Sequence, residues 1–167
     1  YNRSSVPLME IVSEPDIHSP EQAKEYAKKI RDILRYLDVA DCDMDQGGMR
    51  LEANTSLAPL SMKTEDGELP NYKVEVKNIN SFRFAAQAIE YEMKRQAKLL
   101  DEGTTPIQET RGFDSTTATT FSQRTKEDAQ DYRYFPDPDL PPLSFSRENI
   151  EQIKSSLPRL PDQVALD

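Results

Sequence analysis

The sequence predicts an α+β domain: an antiparallel sheet with helices packed on one face. Three observations predict it. Two stretches, MRLEANTSL (49–57) and YKVEVK (72–77), alternate apolar and polar residues with period two, as half-buried strands do. Two longer stretches, near 19–37 and 81–102, repeat apolar residues at helical spacing. The order of these segments along the chain suits a sheet with its helices on one side.

The elements follow in order. VPLMEIVS (6–13) reads as a short strand, broken by SEPD. Ser19 is a candidate N-cap, Pro20 suits the first helical position, and Gln22 completes a capping box. Ala23, Tyr26, Ala27, Ile30, Leu34 and Leu37 then form an apolar stripe. Between the two alternating strands, MKTEDGELPN reads as a hairpin-type loop around Gly67. The second helix starts near Ser81, and Gly103 is its C-terminal stop. Residues 106–124 suggest two further strands joined by a Thr-rich turn at 115–120. A short strand after Leu143 and a helix from about Arg147 to Leu157 follow, and LPRLPDQVALD reads as a proline-punctuated linker.

Composition limits the function. The 167 residues suit one core, and 31% charged residues give a well-solvated surface. A net charge of -9 argues against a surface that grips nucleic acid over its whole area. One cysteine, Cys42, permits no internal disulfide, and neither it nor the single histidine, His18, fits a zinc-ligand pattern. No apolar run is long enough to span a membrane as a helix.

Alternation assigns faces to the strands. Met49, Leu51, Ala53 and Leu57 share one side, and Arg50, Glu52, Asn54 and Ser56 the other. Tyr72, Val74 and Val76 oppose Lys73, Glu75 and Lys77, with Asn78 and Asn80 close behind. Paired, these strands give one apolar face and one of interleaved carboxylates and cations. Such a face is either a half-solvated sheet surface or an active site. Glu10, in LMEIV between apolar neighbours, needs a cation, a metal or an exposed position. Glu10, Glu52 and Glu75 are candidate metal ligands, because magnesium takes oxygen donors and binds nucleotide through one or two carboxylates plus phosphate. Arg50, Lys77, Arg111, Arg124 and Arg133 are candidate partners for phosphate or a substrate carboxylate. No Walker loop is present, and a single histidine makes a serine triad improbable.

In DYRYFPDPDLPP (131–142), Tyr132 and Tyr134 alternate with Arg133 before four prolines stop any ladder. This segment, with YNRSSVPLMEIVSEPD, KVEVKNINSFRF and IQETRGFD, resembles the B subunit family of the aspartyl/glutamyl-tRNA amidotransferases. The resemblance covers nearly the whole chain. It implies a glutamine-synthetase-like catalytic core of antiparallel sheet plus helices, with ATP and Mg2+ as cofactors. The implied reaction phosphorylates the side-chain carboxylate of Glu or Asp misacylated on tRNA-Gln or tRNA-Asn. Ammonia from a partner amidase then displaces the phosphate. The implied enzyme is a carbon–nitrogen ligase with glutamine as amido donor, and the implied location is cytoplasmic. Partners would be the amidase (A) subunit, the small C subunit and tRNA, the last mainly through other domains. Residues 1–157 would be the C-terminal half of the catalytic cradle domain, and 158–167 the start of a linker.

By motif, Glu10 matches the family's magnesium ligand in P-L-x-E-I-V, and Glu75, Lys77, Asn78, Asn80 and Ser81 match E-x-K-N-x-N-S. Arg111 and Arg124 also match. Catalytic roles are expected for Arg50, Lys77 and Arg133, and nucleotide contacts for Asn78, Asn80, Arg111 and Arg124. Three departures stand out: Glu52 replaces a usual Asp, Lys73 a usual Arg, and Asp45-Gln46-Gly47-Gly48 the usual E-E-G-S. Two other readings share these residues: an inactive scaffold piece, and a ligase acting on free glutamate.

Overall fold

The structure is a computed structural model that describes residues 6–59, 69–125 and 138–164. Helix α1 spans Pro20–Tyr36, strand β1 Leu51–Thr55 and strand β2 Val74–Ile79. Helix α2 spans Phe82–Asp101, followed by β3 (Glu109–Asp114) and β4 (Thr119–Thr125). Helix α3 (Arg147–Ser156) and a short turn of helix, α4 (Pro161–Val164), complete the chain.

The helices form where their local signals stand. Ser19 Oγ accepts from the Gln22 amide at 3.2 Å, and Pro20 occupies the first turn. The Gln22 side chain accepts from His18 N at 2.8 Å, one residue before the position a capping box requires. Ser146 and Asn149 form a true box at α3. Gly103, at φ 77°, ends α2: its amide reaches Leu100 O and the Thr104 amide reaches Leu99 O, a Schellman closure.

The four strands lie in the order β1-β2-β3-β4. The sheet is mixed, not antiparallel throughout as the sequence predicts. β1–β2 and β3–β4 are antiparallel, but β2 and β3 run parallel. The reason is α2. A twenty-residue helix connects β2 to β3, so the chain returns to the same end before re-entering the sheet. Core residues Tyr72, Val74, Val76, Ile79 and Phe113 pack with Ala85 and Ala88 of α2. Small residues on that helix face let it sit close to the sheet. α1 packs on α2.

Two expected strands are absent among the described residues. Residues 6–13 carry no strand pairing, and Leu8 and Val12 are exposed there. Residues 143–146 likewise carry no strand pairing. A strand forms only where a neighbour supplies its ladder bonds. The loop expected around Gly67 and the segment around Arg133 lie outside the described residues.

One irregularity reshapes β2. Leu51 pairs with Ile79 but Ala53 with Val76, so β2 carries one extra residue opposite Glu52. Asn78 absorbs it at φ 61°. The bulge shifts the alternation by one, so Ile79 is buried and Asn78 exposed.

Candidate active-site face

The two faces of the sheet carry different polar groups. On the helix side, Glu92 of α2 is fully buried, among cations and donors from three elements. Arg95 Nη2 approaches its Oε2 at 2.9 Å and Arg111 Nε its Oε1 at 3.1 Å. Gln96 Nε2 donates to it at 3.0 Å, and the Thr120 hydroxyl donates as well. Burial alone would raise the Glu92 pKa; the hydrogen bonds from Arg95, Thr120 and Gln96 overcome it and hold the carboxyl below its ordinary value. Arg111 also donates to Glu109 at 2.6 Å, and the Ser122 hydroxyl donates to Glu109. Gln96 accepts from the Tyr72 hydroxyl at 3.1 Å. No buried side-chain polar atom among the described residues is left without a partner.

The opposite face carries the candidate site. Register places Asn54 beside Glu75, Glu75 beside Thr110, and Thr110 beside Arg124. These four residues form one row across the sheet. A second row runs from Glu52 through Lys77 and Gly112 to Phe121. Lys77 Nζ lies 3.2 Å from Glu52 Oε1 and 3.8 Å from Glu75 Oε1. Thr110 Oγ1 donates to Glu75 Oε2 at 2.9 Å. Glu75 is 5% exposed, whereas the Glu52 side chain is 47% exposed. Gly112 keeps this face low. A Cβ there would stand 2.5 Å from Phe121 Cζ and 2.8 Å from Gln123 Nε2, so the Phe121 ring lies across the glycine.

The predicted site residues therefore divide. Glu52, Glu75, Lys77 and Arg124 share the open face. Arg50 is exposed one residue before β1, and Asn78 and Asn80 are exposed at the end of β2. Arg111 is not among them: it stands on the helix side, bound to Glu92, Glu109 and Thr120. Glu10 is exposed in the segment before α1, the last of the three situations open to it from the sequence. Arg133 lies outside the described residues. The expected trio Glu10, Glu52 and Glu75 does not assemble: no group of three or more His, Cys, Asp or Glu among the described residues is close enough to hold a metal ion. Sequence reading missed Thr110 and Glu92. Thr110 comes beside Glu75 only through an unforeseen parallel pairing of β2 with β3. Glu92 looks like one more charge on a helix surface.

A depression of about 460 Å³ lies between residues 12–17 and α1 and shares no residue with the open face. It is lined by Glu14 and Asp16 and no cation, which suits it poorly to phosphate. No helix among the described residues is long and apolar enough to cross a membrane.

Comparison with known proteins agrees with the strand motifs. The family model described as the GatB/GatE catalytic domain matches residues 1–151. The chain is 57% identical over 163 residues to the B subunit of the aspartyl/glutamyl-tRNA(Asn/Gln) amidotransferase of Thermodesulfovibrio yellowstonii, covering 98% of this chain. It is 55% identical to the corresponding protein of Persephonella marina over 98% of its length, and 54% to that of Herpetosiphon aurantiacus over 97%. The chain spans about a third of each relative, 33%, 34% and 32% respectively. With its open charged sheet face and a match over most of its length, the chain belongs to the GatB/GatE catalytic domain family.

Proposed function

We propose that the open face of this sheet is part of the carboxylate-activating centre of a tRNA-dependent amidotransferase. In that reaction, the side-chain carboxylate of Glu or Asp on misacylated tRNA attacks the terminal phosphorus of ATP, and the bond to the bridging oxygen of ADP breaks. Ammonia then attacks the acyl carbon, phosphate leaves, and the amide forms with loss of a proton. The amidase (A) subunit, with the small C subunit, supplies the ammonia from glutamine, in the cytoplasm.

The observation that carries this reading is the Glu52–Lys77–Glu75 chain on one face, in a member of this family. Phosphoryl transfer asks mainly for positioning and for cations near the developing charge. Lys77 supplies a cation held between two carboxylates. Arg124 stands in the row of Glu75, two strands away. Arg50, Asn78, Asn80 and Arg133 are proposed to bind phosphate or the substrate carboxylate, and Glu10 to join them in the whole protein.

Glu52 and Glu75 fit magnesium as two oxygen donors on one face, the number that ion takes alongside nucleotide phosphates. When bound, it would neutralise charge on the transferring phosphoryl group. Lys77 keeps the two carboxylates near each other by offsetting their mutual repulsion. On the other face, Glu92 of α2, Arg111 of β3 and Thr120 of β4 tie the helix and these two strands together.

The test uses the full-length protein in its assembled complex. Lys77→Met is expected to lower tRNA-dependent ATP hydrolysis by about a hundredfold or more, the scale of one lost electrostatic group in such a centre. Unchanged hydrolysis in that variant would remove the open face from the reaction.

A further inference from the structure

We propose that Thr110 is a positioning residue that orients the Glu75 carboxylate on the open face; this rests on the reading that Glu75 serves the amidotransferase centre. Thr110 sits in β3, directly beside Glu75 of β2 in the parallel register. Its Oγ1 donates to Glu75 Oε2 at 2.9 Å, while Lys77 Nζ approaches the other oxygen, Oε1, at 3.8 Å. The two oxygens are thus addressed from two different strands, which fixes the plane of the carboxylate relative to the sheet.

Three properties suit threonine to this task. It is 2% exposed, so no water competes for its hydroxyl proton. Its branched Cβ restricts rotation about χ1 in a strand, so the donor points one way. Its hydroxyl is neutral, so it orients Glu75 without cancelling the charge that a cation or a phosphoryl group would meet. Arg124, next in the row on β4, is placed beside Thr110 rather than beside Glu75. Thr110 is therefore the neutral spacer between the carboxylate and that arginine. Orienting donors behind a working carboxylate are typically worth 10- to 100-fold in activity.

The experiment compares Thr110→Val, Thr110→Ala and Thr110→Ser with Glu75→Gln in the full-length protein within its complex. Tm is measured for each, and kcat and KM are measured for tRNA-dependent amidation. The valine and alanine variants are expected to lose about 10- to 100-fold in kcat, with KM for ATP and for tRNA within about twofold of the parent. Thr110→Ser, which keeps the donor, is expected to restore at least half of the lost logarithm of kcat. A Thr110→Val enzyme with parental kcat beside an inactive Glu75→Gln enzyme overturns the proposal while leaving the function standing. A loss that Ser fails to rescue, or one confined to KM, overturns it too. A fully active Glu75→Gln enzyme instead removes Glu75 from the centre, and Thr110 with it. Should the valine variant not fold, the alanine and serine pair decides by the same criteria.

Discussion

Asn78 holds a backbone geometry that most side chains resist. At φ 61° it is in the left-handed region, which asparagine tolerates and β-branched residues do not. Asn78→Val is expected to destabilise the protein by about 1–3 kcal/mol, and Asn78→Gly by less than about 0.5 kcal/mol, in equilibrium urea unfolding. Equal losses in both variants would show that the asparagine side chain, and not the backbone angle, is what matters. At the same scale, Gly112 and Phe121 are coupled, because a Cβ at 112 collides with the ring. Gly112→Ala is expected to cost about 1 kcal/mol in the parent and nearly nothing beside Phe121→Ala, a non-additivity that a double-mutant cycle measures. Single residues were unequally legible in the sequence. Gly103 announces a helix stop because its freedom is used locally, within a few residues of the helix it ends. Asn78 announces nothing, since the bulge exists only once β1 is in place beside it.

At the scale of elements, α2 is fastened to the sheet by charge as well as by its alanines. Glu92 joins Arg95 of its own helix to Arg111 of β3 and Thr120 of β4. Removing the carboxylate leaves two guanidiniums without it, and a broken buried pair typically costs about 3–5 kcal/mol. Glu92→Leu is expected to lower stability by that order in urea unfolding at pH 7. The pH dependence has a definite sign. The folded carboxyl titrates below its ordinary value of 4.5, so its stabilisation is complete above that pH. It is lost as the pH falls through the lower, folded value. The stability gap between the parent and Glu92→Leu should therefore narrow on acidification below about pH 4.5 and stay constant from pH 6 to 8. A gap that widens in acid would contradict the network's geometry. The helices themselves were legible, because caps and apolar stripes are written in consecutive residues: Ser19 and Pro20 open α1 where expected. The direction of β3 was not. Period-two alternation is the same in both directions, so parallel pairing depends on how α2 packs between the strands.

At the scale of the whole molecule, stability is concentrated on the sheet and α2. Val74, Val76 and Ala88 are fully buried, whereas α3 buries no residue at all. Native-state hydrogen exchange should find the slowest amides in β2 and the neighbouring α2 face, and the fastest helical amides in α3. Protection in α3 matching that of β2 would show a packing partner for Ile150 and Ile153, both exposed in the structure. The polar face was partly legible from strand parity, which joined Glu52, Glu75 and Lys77 correctly. The side on which Arg111 stands was not legible, because nothing in ETRGFD states which side faces the helix.

The strand order β1-β2-β3-β4 matches the order of the chain. Among the described strands, each new one therefore joins the edge left by the one before, and none of them is inserted between two already paired. On a ribosome, where N-terminal segments emerge first, such a sheet can be laid down strand by strand as synthesis proceeds. The longest wait between these strands falls between β2 and β3, while the twenty residues of α2 are made. During that interval β2 presents the edge that β3 later covers, which makes this a stage at which a nascent-chain chaperone would have much to protect.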